Sequence, residues 1–320
     1  MKNKLFLILS VFSASQAVKP LTLEQEFYSL DDALEDKDYT TVKKIVEEID
    51  PKAVNSMYEP FSSYITWATT LFYAIQIQNK ELIQSLIDHG ADINYFDGTY
   101  TPLTYAITKN YPDIVLLLLK NGADPNLVPT PYVQEDDNDY NAIDGKTPLE
   151  VAAYLGNLDM AKLLLNHGAY VGFQSRFTSP LLEAIKSDVE DKNVLNQLIE
   201  LFLKKGADPN LKVFGSLPLN EAVKREYIEA IKFLLKYGAN PNLFADYFGP
   251  ALIGLFQEVN ALMIAVDKDN IKIIKLLLEN REHKANPALR NKAGYNTLNL
   301  AYQDMSIRKL LEEHQTGGSA

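Results

Sequence analysis

The chain has 320 residues, of which 47% are hydrophobic and 23% charged, the usage of a soluble globular protein and not of a disordered, collagen-like or polytopic membrane chain. Its 31 basic and 42 acidic residues give a net charge of −11, the wrong sign for neutralising nucleic-acid phosphates or an anionic lipid surface. Cysteine is absent and only four His are present, so disulfides, thiolate metal sites and thiol nucleophiles are excluded, and little is left for a zinc site.

Residues 1–17 read as a secretory signal peptide. Lys2 and Lys4 form a basic start, Leu5 to Phe12 an apolar run too short to span a bilayer, and Ala14-Ser15-Gln16-Ala17 a small-residue end with cleavage expected after Ala17. An exported chain without cysteine suits a bacterial periplasmic or secreted setting. No stable membrane insertion is expected once the leader is removed. Residues 18–66 are read as a linker and a degenerate capping repeat, in which Leu30, Ala33, Leu34, Val42, Ile45 and Val46 keep helical spacing.

From residue 67 to 314 the chain repeats itself. Starts recur as TTLFYAI at Thr69, TPLTYAI at Thr101, TPLEVAA at Thr147, SPLLEAI at Ser179, LPLNEAV at Leu217, NALMIAV at Asn260 and NTLNLAY at Asn296. In the fullest of these, Thr caps a helix, Pro fills its first position without losing a needed hydrogen bond, and Leu and Ala face a neighbour. A second helix follows with apolar stripes such as Leu82, Ile83, Leu86 and Ile87. Closures at Gly90-Ala91-Asp92-Ile93-Asn94, Gly122-Ala123-Asp124-Pro125-Asn126, Gly168-Ala169, Gly206-Ala207-Asp208-Pro209-Asn210 and Gly238-Ala239-Asn240-Pro241-Asn242 end the helix on a residue suited to positive φ. Together these residues resemble the ankyrin repeat, with units of about 33 residues and a Thr-Pro-Leu start.

The resemblance implies an all-α solenoid of about eight stacked helix pairs with hairpin loops, atypical at both ends. Insertions are expected near 127–143, 187–197 and 243–259, the second lengthening the turn between two helices, and 315–320 as a flexible tail. The family's usual His after Thr-Pro-Leu is replaced by Phe72, Thr104, Glu150, Leu182, Asn220, Met263 and Asn299, which puts its usual hydrogen bond in doubt.

Chemistry-bearing motifs are sparse. His89 and His167 each precede a closing Gly, where an imidazole serves the last carbonyls of a helix. The acidic run from Glu135 to Asn141 fails as a calcium loop, because Ala142 stands for the turn Gly and Pro148 for the bidentate Glu. Gly98, Gly145, Gly215 and Gly294 sit before repeat starts as turn residues and not as phosphate-binding glycines. No catalytic residue, metal ligand or cofactor is assigned.

What the resemblance implies about function is a non-enzymatic module that binds a protein partner along the first-helix face and hairpin tips. Register places Phe72, Gln76, Tyr105, Thr108, Tyr154 and Lys186 on that face. Phe96, Tyr100, Phe214, Phe244 and Tyr247 fall near hairpin tips or in an insertion, where aromatic rings suit partner contact. The acidic charge makes a basic partner one option, as for an inhibitor or immunity protein; a secreted host-directed factor is another. An enzyme with a site in the insertions is the rival from a different class. A monomer is expected, and no nucleic acid.

Overall fold

The computed structural model describes Lys44 and residues 70–128, 145–172, 175, 178–246, 258–280, 282–301 and 304–316. The expected signal peptide, nearly all of the linker and capping repeat, the acidic insertion from Pro129 to Asp144 and Tyr247 lie outside them. The chain divides into two compact units, Met1–Asp97 and Gly98–Ala320.

In the first unit the described residues form one helix pair, α1 (Thr70–Gln76) and α2 (Lys80–Asp88). Leu71, Phe72, Ala74 and Ile75 of α1 are buried, as are Leu82, Ile83 and Leu86 of α2. Asn79 caps α2 by accepting the Leu82 N–H at 3.0 Å.

The described residues of the second unit form six pairs in chain order: α3 (Pro102–Thr108) and α4 (Pro112–Lys120), α5 (Pro148–Tyr154) and α6 (Leu158–Asn166), α7 (Pro180–Lys186) and α8 (Lys192–Lys204), α9 (Pro218–Lys224) and α10 (Ile228–Lys236), α11 (Ala261–Asp267) and α12 (Ile271–Leu278), and α13 (Thr297–Leu300) and α14 (Met305–Thr316). First helices pack in series, from α3 on α5 through to α11 on α13, while α6, α8 and α10 pack in series behind them. The core lies between these rows, where Leu118, Leu164, Phe202, Leu234 and Leu277 are all fully buried. This is the solenoid that the repeated starts predict.

The start residues act as the spelling implies. Side chains of Thr101, Thr147, Ser179, Asn260 and Asn296 each accept the backbone N–H three residues on. The closing glycines 90, 122, 168, 206 and 238 all have φ between 89° and 94°, which a Cβ would resist. His89 and His167 donate from Nδ1 to the carbonyls of Ser85 (2.7 Å) and Leu163 (2.9 Å), at the ends of their helices.

Two insertions differ from the simplest expectation. The one after α7 extends the turn to five residues, 187–191, and also lengthens the second helix: α8 has 13 residues where α4, α6 and α10 have 9. Added residues with Leu195 and Leu198 on the buried stripe are better used as another helical turn than as loop. The insertion near 243–259 leaves through β1 (Ala245–Asp246) and returns through β2 (Glu258–Val259), paired antiparallel.

Candidate protein-binding face

A first helix of seven residues exposes few positions, and the register decides which. The third residue of the first helix is buried in each repeat from Phe72 (4% exposed) through Thr104, Glu150, Leu182 and Asn220 to Met263. Phe72 is therefore a core residue, and the outward direction expected of it is corrected. In two repeats of the second unit the cause is visible: at Glu150 and Asn220 this register lies beneath the loop that enters the next repeat. Glu150 accepts the Ser175 N–H there, and Asn220 donates from Nδ2 to the Val259 carbonyl at 3.0 Å.

The same register takes over the work of the missing histidine. Thr104 Oγ1 and Glu150 Oε2 each accept the N–H of their own cap residue, at 2.8 Å, while the cap accepts theirs in return. That reciprocal arrangement is a capping box. Asn296 and Asn299 form a third.

Four residues further along, the side chains clear the loop. Gln76 is exposed, and Thr108, Tyr154 and Lys186 are half-buried. Tyr105, half-buried, meets Tyr100 edge to face with centroids 5.7 Å apart, and Lys109 Nζ sits 5.4 Å from the Tyr105 ring. Beside Tyr154, Lys146 Nζ lies 5.9 Å from the ring and 3.0 Å from Glu183 Oε1. The result is two aromatic rings, each with an ammonium group over or beside it. Further along, Arg225 joins Glu221 (3.0 Å) to Asp188 (2.9 Å).

Glu150 is the most perturbed group near this face. Burial pushes its carboxyl up to about 7, opposed by the N–H groups of Ser175 and Thr147 and by the charge of Lys146. Lys146 and Glu183 carry no expectation from the sequence, and Glu150 is met there only as the residue in place of the usual His. A Glu three residues after Thr147 is the spacing of a capping box and could have been read; the Lys146–Glu183 pair joins different repeats and could not.

Of the residues expected at hairpin tips, Phe96 is half-buried in a stretch without strand pairing, Phe244 is half-buried directly before β1, and Phe214 is 73% exposed at the tip of a tight hairpin. Val213 and Ser216 exchange both backbone hydrogen bonds (3.0 and 2.8 Å) around Phe214 and Gly215, at φ 44° and 77°. A two-residue turn with both central φ positive is the type I′ hairpin, which favours Asn-Gly. A bulky Phe in its first place is strained. The Asp246 N–H donates to the Gly215 carbonyl at 2.8 Å, so β1 leans on this turn. A shallow cleft nearby is lined by Leu217, Asn220, Glu221, Lys224, Asp246 and Ile264. Its carboxylates do not converge as a free pair: Glu221 is paired with Arg225 and Asp246 with Lys212 (3.2 Å). Among the described residues no group of three or more His, Asp or Glu could hold a metal ion, and no helix is long and apolar enough to cross a membrane.

Comparison with known proteins agrees with this architecture. A family model described as ankyrin repeats in three copies matches residues 30–128, and the single ankyrin repeat matches residues 144–176, 214–245 and 258–292. The repeat with the lengthened α8 falls between those matches. An ankyrin repeat protein of fowlpox virus is 28% identical over 224 residues, covering 63% of this chain and 38% of the relative. The phosphate system positive regulatory protein of Saccharomyces cerevisiae is 28% identical over 243 residues, covering 70% and 20%. The matched stretch thus spans only a minor part of these relatives. Among solved structures, the ankyrin repeat domain of Bcl-3 superposes with a TM-score of 0.59 at 21% identity, covering 77% of this chain and 98% of that domain. The human ASB11 ankyrin repeat domain gives 0.54 at 23%, with the same coverage. With its repeated starts, stacked helix pairs and matches over more than half its length, the chain belongs to the ankyrin-repeat family.

Proposed function

We propose that this chain is a non-enzymatic module, acting as a monomer, that binds a protein partner on the side formed by α3, α5 and α7 and the loops before them. The observation that carries the reading is the pair of half-exposed rings, Tyr105 with Tyr100 and Lys109, and Tyr154 with Lys146. Neither ring is consumed by the core, and both are held by neighbours. A pre-positioned tyrosine loses little freedom on binding and supplies large contact area. Its test is Tyr105→Ala with Tyr154→Ala, expected to weaken partner binding while the chain stays folded and still unfolds cooperatively on heating.

Export forms part of the same proposal, supported by the basic, apolar and small-residue sequence of residues 1–17. N-terminal sequencing of the native protein is expected to begin at Val18. A Met1 start would contradict it.

The case for a basic partner is narrower. Residues 18–66 carry eleven acidic and five basic side chains, and residues 129–144 carry five acidic and none basic. On the described face, by contrast, Lys109, Lys146, Lys186, Lys224 and Arg225 interleave with Glu183, Asp188 and Glu221. A basic partner would be drawn by the acidic segments and not by the tyrosine face. Neutralising Glu135, Asp136, Asp137 and Asp139 together is then expected to lower affinity and flatten its salt dependence.

A further inference from the structure

Within Gly98–Ala320, the loops that leave successive second helices are joined by asparagine side chains. Asn126 donates from Nδ2 to the Gly168 carbonyl (2.9 Å) and accepts the Tyr170 N–H at Oδ1 (2.8 Å). Asn210 does the same with the Gly238 carbonyl (2.9 Å) and the Asn240 N–H (2.7 Å). Asn242 continues with the Lys284 carbonyl (2.9 Å) and the Asn286 N–H (2.7 Å). An amide side chain both donates and accepts, so each rung satisfies one carbonyl and one N–H of the next loop.

The period calls for one more rung, from residue 172 to Gly206 and Asp208. Residue 172 is Gly, and among the described residues no side chain bonds those two backbone groups. Residue 170 departs as well. Asp124, Asp208 and Asn240 each accept the N–H two residues on, at 2.8, 2.8 and 3.0 Å, whereas Tyr170 stands in that place in the third repeat. A Cβ on Gly172 would lie 2.8 Å from the Tyr170 ring. The ring thus occupies the space from which the missing side chain would grow.

On its first-helix side the same junction is tied three times. The Ser175 N–H donates to Glu150 (2.9 Å), the Ser187 hydroxyl donates to the Tyr154 carbonyl (2.9 Å), and Lys146 pairs with the buried Glu183 (3.0 Å). We infer that the junction between the third repeat, Thr147–Gly168, and the fourth, Ser179–Gly206, is a built-in pivot, fastened on the first-helix side and able to open on the loop side. It is a property of the chain by itself and stands apart from the partner-binding reading. Local opening of this kind draws on the least bonded part of a stack.

Amide hydrogen exchange on the full chain, resolved to single residues, tests it. Asp208 and Asn240 occupy the same place in successive repeats. With one rung bond worth about as much as an ordinary net hydrogen bond, the Asp208 N–H is expected to exchange roughly tenfold faster than that of Asn240. The double change Tyr170→Asp with Gly172→Asn supplies the rung and is expected to close most of that gap. Asn210→Ala removes a neighbouring rung and is expected to bring Asn240 to the rate of Asp208, a reading that stands even if the double variant fails to fold. The Ser175 N–H, which crosses the junction to Glu150, remains slow throughout. Asp208 as slow as Asn240 in the unaltered chain would overturn the pivot, and so would Ser175 exchanging in step with Asp208, which means the junction parts as a whole.

Discussion

The Ser175 N–H donates to Oε1 of Glu150 at 2.9 Å, joining residues 25 apart in the chain through a side chain with no exposed surface. Because burial holds the carboxyl near 7 against 4.5 for the free group, the folded state binds its proton more tightly than the unfolded state does. Its contribution to stability is therefore complete below pH 4.5 and is lost as pH rises through about 7. The span corresponds to something on the order of 3 kcal/mol. Urea unfolding from pH 4.5 to 8 is expected to show this loss in the wild type relative to Glu150→Gln. Equal pH slopes for the two proteins would contradict it.

Phe72 and Tyr105 are expected to separate stability from binding. Phe72 is 4% exposed, so Phe72→Ala should cost about 3–5 kcal/mol by removing buried atoms and leaving a cavity. Tyr105→Ala, on a half-buried ring at the surface, should cost well under half of that. Thermal unfolding of the two variants side by side is the check.

The hairpin tip gives a paired prediction of opposite sign. Phe214→Asn places a residue that tolerates positive φ at 44° and is expected to raise stability by up to about 1 kcal/mol. Gly215→Ala puts a Cβ at φ 77° and 2.9 Å from the Asp246 Cβ, and is expected to lower stability by about 1–2 kcal/mol. Denaturant midpoints at equal slope would register both.

Ion pairs should differ by burial. Lys146 and Glu183 have side chains 15% and 6% exposed, whereas Lys232 and Glu229 are each about half exposed. Lys146→Ala strands a buried carboxylate and is expected to cost about 3 kcal/mol. Lys232→Ala should cost less than about 1 kcal/mol. Similar losses for the two would mean that Glu183 finds water or another partner.

Much of the scaffold was legible because each repeat encodes its own local chemistry. Thr101, Pro102 and Gly122 specify a cap, a first turn and a helix end from neighbours in sequence alone. Phe72 misled for a reason of the same kind. Phe72 and Gln76 are four residues apart and share a helical face, yet only Gln76 is exposed; at the matching register within the second unit, Ser175 from the loop to the next repeat covers Glu150. The extra turn of α8 was concealed because an insertion can feed a loop or a helix with equal ease until its apolar stripe finds a neighbour. Lys146 with Glu183, and Asn126 with Gly168, are contacts between repeats with no local signature. The face was thus readable as a register, and its chemistry only as a structure.

A protein partner is expected to engage the face bearing Tyr105 and Tyr154. The most direct measurement is cross-linked affinity capture with residues 18–320, run in parallel on the wild type and the Tyr105→Ala, Tyr154→Ala variant after matched unfolding curves confirm that both are folded. One stoichiometric protein is expected to be retained by the wild type, with binding weakened roughly tenfold or more in the variant. Equal retention by both, or no protein retained by either, would contradict it.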